Sequence, residues 1–250
     1  MKLTILGSSS SGNCYILKAN SGQTLIVECG IPMAKIKTAL RFDTRHCAGI
    51  LISHEHGDHA GYVKQALKTS IPVFMSAGTK EAIEEKGLTG IFKPKVIEPL
   101  KAYLIGEFKI LPFPVEHDAR QPFGYLIEHP ESGRILFATD TYYLPAVFPG
   151  LSNIMIECNY DRGILDHNIE EGLIPTKLRD RIVQSHMEFD ECVKALRAND
   201  LSMVNNILLI HLSSSNSDPD YFKEKIHEVT GKNVMVATPG ATIDFNKYPF

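Results

Sequence analysis

The string "HEHGDH", residues 54–59, crowds His54, His56, Asp58 and His59 into one short loop directly after the apolar run "AGILIS". Side chains alternate along an extended segment, so His54 and His56 project to the same side and can bind one metal ion together. Gly57 permits a sharp bend, after which Asp58 and His59 turn toward a second ion. Imidazoles and carboxylates are the donors of zinc, manganese and iron sites. One loop cannot close two coordination spheres, so other segments must contribute. His117 in "FPVEHDA", Asp140 closing "ILFATD" and His211 closing "ILLIH" each place a polar residue where an apolar run stops. A buried strand delivers side chains to an edge cleft at such a point.

Further residues join these as candidates. His186 in "QSHMEFD" stands just before a helical pattern, where it could donate a proton to a leaving oxygen, hydrogen-bond a phosphate or serve as a capping histidine. Asn159 and Asp161 follow the run "IMIEC", and Arg120 lies three residues after His117, where a guanidinium could grip a phosphate. The turn "GSSSSGN", residues 7–13, lacks the lysine and the following helix of a nucleotide-triphosphate loop. It reads as a strand-to-strand turn with Gly7 and Gly12 at positive φ. Ser9, Ser10 and Asn13 in it carry hydroxyl, amide and backbone N–H groups that phosphate oxygens of a substrate could use, and a second serine run follows His211 in "HLSSSNS".

Short Val, Ile and Leu runs that would position these residues read as strands at 3–6, 15–18, 24–28, 49–53, 73–75 and 108–112, and again at 124–128, 134–138, 153–157, 207–211 and 233–237. Helical patterns fall at 61–69, 78–86, 176–184, 190–199 and 219–230. The order suggests two mixed sheets face to face with helices outside, an α/β chain forming one domain over residues 1–250.

Composition narrows the class. A 250-residue chain with 44% hydrophobic content can bury a sizeable core. Its apolar runs are far shorter than a membrane span, and the start is too short for a secretory signal, so a cytoplasmic protein is expected. Five cysteines without a C-x-x-C pair argue against both a disulfide framework and a thiolate zinc knuckle. A formal charge of −3 gives no global attraction for polyanions, so a nucleic-acid substrate would need a local metal centre or basic patch.

The order H-x-H-x-D-H followed by a distant His, Asp and His resembles the metallo-β-lactamase superfamily. "GSSSSGN", "SHEHGDH", "HDARQPFGY" and "ECNYD" are similar to strings of its YycJ/WalJ exonuclease-like branch. The resemblance implies a four-layer αββα sandwich with two divalent ions, zinc first and manganese or iron as alternatives. His54, His56 and His117 would hold one ion, Asp58, His59 and His211 the other, with Asp140 bridging. Asp58, Asp140 and His186 would then be the catalytic set, and a metal-bridging hydroxide would attack phosphorus in line, with no organic cofactor and no membrane partner. Glu28 in "LIVECG" stands where the superfamily usually has Asp, and Tyr160 where the branch has His. A metal-dependent phosphodiesterase acting on nucleic acid is the first expectation. Hydrolysis of a lactone or thioester and a non-catalytic metal-binding module are the alternatives.

Overall fold

A computed structural model describes residues 1–144 and 146–249. The first half runs β1 (Lys2–Gly7), β2 (Cys14–Lys18), β3 (Thr24–Val27), α1 (Met33–Ala39), β4 (Cys47–Leu51), α2 (Gly57–Ala60), α3 (Val63–Ala66), β5 (Val73–Met75), α4 (Ala77–Glu85) and β6 (Lys95–Val96). The second runs β7 (Tyr103–Ile105), β8 (Phe108–Pro114), β9 (Phe123–His129), β10 (Gly133–Ala138) and β11 (Leu151–Glu157), then α5 (Arg162–Glu170), α6 (Thr176–Ser185), α7 (Phe189–Ala198), β12 (Asn206–Ile210), α8 (Pro219–Thr230), β13 (Asn233–Val236) and β14 (Thr242–Asp244).

These strands form two seven-stranded sheets, ordered β14-β1-β2-β3-β4-β5-β6 and β13-β12-β11-β10-β9-β8-β7. Each sheet is antiparallel at its meander and parallel where helices intervene, as along β3-β4-β5 and β10-β11-β12. The parallel strands read as continuous apolar runs because both faces are covered. The inner faces of the two sheets form a shared core that includes Leu17, Leu51, Tyr125, Phe137 and Leu208. Separate clusters seat α1, α3 and α4 on the first sheet and α7 and α8 on the second. The result is the expected αββα sandwich.

Every strand read from the apolar runs is present, with ends shifted by a few residues. The short edge strands β6, β7 and β14 were not anticipated. β6 is only two residues long, and β14 gains its identity by pairing with β1 rather than from its own pattern. The helix expected over 61–69 is instead two single turns, α2 and α3, because the metal-loop residues themselves open α2. α1 and α5 lacked a clear apolar stripe; α5 buries only Leu165. Among the described residues, no helix is long and apolar enough to cross a membrane.

Candidate metal centre

Strand ends bring the polar residues to one edge. β10, β11 and β12 run parallel, with Ala138 opposite Ile156 and Glu157 opposite Ile210. Asp140, Glu157 and His211 therefore emerge level at the carboxyl edge of this sheet, where ligands of open α/β sheets bind. β4 leads into His54 on the facing sheet, and β8 leads into His117. Asp140 and His211 adopt left-handed backbone at φ 45 and φ 55, and Glu28 does so at φ 69. Non-glycine residues rarely accept this region, and each costs on the order of 1–3 kcal/mol. Surrounding bonds hold His211 there: its N–H donates to Ser8 Oγ at 3.0 Å, and Asn159 Nδ2 donates to its carbonyl at 2.7 Å.

The expected donors converge in two groups that share Asp140, and a third group, Asp140, Glu157, His186 and His211, adjoins them. His54, His56, His117 and Asp140 form one, and Asp58, His59, Asp140 and His211 the other, with the donor atoms of each group within 4.8 Å of one another. The two carboxylate oxygens of Asp140 divide between them. Oδ2 lies 3.5 Å from His54 Nε2 and 3.4 Å from His117 Nε2, while Oδ1 lies 3.3 Å from His59 Nε2. Asp58 Oδ2 sits 3.2 Å from His59 Nε2 and 3.1 Å from His211 Nε2.

Protonation patterns fit a cation at these positions. His117 Nδ1 donates to the Ser185 carbonyl at 2.7 Å, which leaves Nε2 as the nitrogen that can serve as a ligand. That nitrogen faces His56 Nδ1 at 3.1 Å. His54 gives Nδ1 to Ser53 Oγ at 2.9 Å, and its Nε2 is buried without a hydrogen-bond partner. Burial, with the charge of His59, holds His54 well below the usual imidazole range, so it is a neutral donor. Burial also opposes a charge on His59 and His211, yet Asp140 and Asp58 beside them carry both well above that range. The same histidines hold Asp58 and Asp140 below the usual carboxylate range despite burial. A cluster of ionised carboxylates that draws protons onto neighbouring imidazoles is one that a divalent cation would satisfy. The histidine and aspartate donor set and the orphaned His54 Nε2 therefore fit a metal ion.

Carboxylates behind the donors orient them. Glu157, fully buried at the end of β11, places Oε1 2.9 Å from His211 Nδ1 and 2.8 Å from His186 Nδ1. Glu28 accepts from the Ser53 backbone N–H at 3.2 Å and lies 3.7 Å from His59 Nδ1. Neither Glu157 nor the Ser53–His54 bond was anticipated. Glu157 carries the same signal that marked Asp140, an acid closing a buried strand.

The remaining candidates separate. The cleft over the donors encloses about 610 Å³, and His186, Asn159 and Ser10 line it. Ser9 does not; its Oγ lies 2.7 Å from Ser11 Oγ and closes the turn on itself. Asn13 is buried beneath the loop, where its amide reaches the Asp58 carbonyl at 3.2 Å and His59 Nε2 at 3.1 Å. It braces the donors and is withdrawn from the groove. Arg120 is not brought to the cleft either. Its guanidinium makes paired bonds of 2.8 and 2.7 Å with Glu85, because the turn after His117 lies against α4. Asp161 caps α5 by accepting from Ile164 N–H at 2.9 Å. Tyr160 packs with Leu165 and Ile174 and anchors the α5–α6 hairpin. Of the two turn glycines, Gly12 has φ +145, whereas Gly7 ends β1 without positive φ. Gly7 is required instead by the close approach of the Gly12 carbonyl. Gly57 needs no special freedom, since it starts α2 in open space.

An αββα sandwich with these donors at its sheet edges defines a metallohydrolase type of fold. The family model for the beta-lactamase superfamily domain matches residues 26–212, and the chain belongs to that superfamily. Among solved structures, the metallo-beta-lactamase fold protein YhfI from Bacillus subtilis superposes with a TM-score of 0.74 at 18% identity, covering 97% of this chain and 98% of that one. The short form of human tRNase Z gives 0.62 at 15% identity, covering 98% and 99%. A curated relative, the anti-Pycsar protein Apyc1 of Bacillus phage 010DV004, is 32% identical over 71 residues. That match takes in 26% of this chain and 28% of the phage protein.

Proposed function

We propose that the protein is a metal-dependent phosphodiesterase acting on nucleic acid, exonuclease-like in kind, with two divalent ions, zinc first. The observation that carries this reading is Asp140, whose Oδ1 and Oδ2 face different donor groups. His54, His56 and His117 would hold one ion, and Asp58, His59 and His211 the other. Bound there, the pair supplies Lewis acidity at a phosphoryl group and lowers the pKa of water. Two divalent charges outweigh Asp58 and Asp140, so the floor favours an anionic substrate.

The protein's own groups do the rest. His186 uses Nδ1 on Glu157 and so offers its other nitrogen as proton donor to the leaving oxygen. Burial opposes a proton on His186, but Glu157 raises its pKa above the ordinary imidazole value. Ser10 presents a hydroxyl at the cleft wall, and Asn159 fixes the His211 carbonyl. The likeness of its strings to those of the YycJ/WalJ branch supports nucleic acid over other phosphodiesters.

The test is digestion of end-labelled single- and double-stranded DNA with zinc or manganese, beside lactone and thioester substrates. Metal-dependent release of nucleotides from DNA is expected. Turnover of the lactone or thioester alone would replace this reading with the carbonyl hydrolase, and no turnover by the metal-loaded protein would leave a binding module.

A further inference from the structure

We propose that Leu173 and Leu178 form one wall of a nucleobase subsite, which gives the enzyme a substrate presenting a single unstacked base beside the scissile phosphate. This deepens the phosphodiesterase reading and rests on it. Leu173 is 71% exposed and Leu178 44% exposed, yet both line the same cleft as His186 and Asp140. Isolated exposed leucines are ordinary, but these continue into Ile174 and Ile182 as one apolar face over the donor floor. They are also absent from the small core that Tyr160, Leu165 and Ile174 build inside the α5–α6 hairpin. The hairpin's stability does not account for them.

The adjoining part of the lining has the opposite character. The segment after His211 contributes Ser213, Ser214 and Ser215 to the cleft, and Asn168 Nδ2 anchors it at 2.9 Å from both the Ser215 carbonyl and Asn216 Oδ1. Ser214 and Ser215 are exposed, and among the described residues their hydroxyls have no protein partner. A planar heterocycle matches such a pair of walls, with its face on leucine methyls and its polar edge toward serine hydroxyls. An alkyl chain would strip water from those hydroxyls without replacing their hydrogen bonds. A bare sugar phosphate would leave the leucines unused. At about 610 Å³ the cleft is in the size range of single small-ligand sites, room for one or two nucleotides but not for a stacked duplex.

The test compares two esters with the same leaving group: the p-nitrophenyl ester of thymidine monophosphate and methyl p-nitrophenyl phosphate. The quantity read is the ratio of their kcat/KM values, in wild type and in the Leu173→Ser, Leu178→Ser double variant. Apolar burial of two leucine side chains against the base predicts that this ratio falls about tenfold or more in the variant, mainly through KM for the thymidine ester. A ratio within about twofold of wild type, whichever way the absolute rates move, overturns the subsite. So does an equal preference for hexyl p-nitrophenyl phosphate, which would indicate an alkyl group. Calorimetric binding of thymidine monophosphate against deoxyribose phosphate separates the two claims. If neither ester is hydrolysed, the phosphodiesterase reading fails. The subsite then stands only if the base-bearing ligand binds more tightly and loses that advantage in the variant.

Discussion

The Nδ1 of His186 lies 2.8 Å from Oε1 of Glu157, a carboxylate with no solvent exposure at the end of β11. This contact fixes the imidazole in the cleft with one nitrogen committed and the other left over. A group so placed helps departure of a poor leaving oxygen and is little needed by a good one. His186→Ala should therefore slow cleavage of DNA by about a hundredfold or more, while a p-nitrophenyl ester loses less than about tenfold. Parallel measurement on the two substrates checks it. Equal losses on both, with metal content lowered, would make His186 a structural support only.

Glu28 acts behind His59 rather than on substrate. Glu28→Gln keeps the size of the side chain but removes the charge that faces His59 Nδ1 at 3.7 Å. Loss of such a supporting carboxylate typically weakens metal affinity by about 10–100-fold. Competitive titration with a chelating dye would show this as weaker binding of one ion. Glu28→Asp should fall between the two, since a carboxylate one methylene shorter must still reach the Ser53 N–H.

Arg120 was an attractive phosphate clamp in the sequence, and its pairing with Glu85 on the surface of α4 makes the opposite prediction. Arg120→Ala should leave kcat/KM on a phosphodiester within about twofold, as expected for an exposed ion pair away from the chemistry. A loss confined to KM for long DNA would instead show that the side chain leaves Glu85 to meet the substrate.

Asn13 should behave as part of the donor scaffold. Its amide reaches both the Asp58 carbonyl and His59 Nε2. Asn13→Ala is expected to lower metal retention during dialysis and to reduce activity in proportion, with KM nearly unchanged. A raised KM at full metal content would return Asn13 to the groove.

The strand ends were legible because metal ligands interrupt apolar runs, a contrast that a single sequence displays. "HEHGDH" was legible for its density, and His117, Asp140 and His211 for their positions after strands that proved real. What was hidden depends on approach between distant segments. Glu157 closes a buried strand as Asp140 does, but that it orients His186 and His211 emerges only once β11 is seen parallel to β12. Nothing in "HDARQ" reveals that Arg120 lies against α4. The serine turn was placed correctly beside the site, but its parts differ: Ser8 braces His211, Ser9 closes the turn, and Ser10 faces the cleft. Short edge strands escaped because pairing, rather than local pattern, defines them.

The central claim is a shared-carboxylate centre for two ions, and elemental analysis of the protein dialysed against limiting zinc or manganese tests it most directly. The account predicts two divalent ions per chain, and at most one with Asp140→Ala, whose loss removes a donor from both groups. Retention of two ions by the Asp140→Ala protein, or none by the wild type, would contradict it.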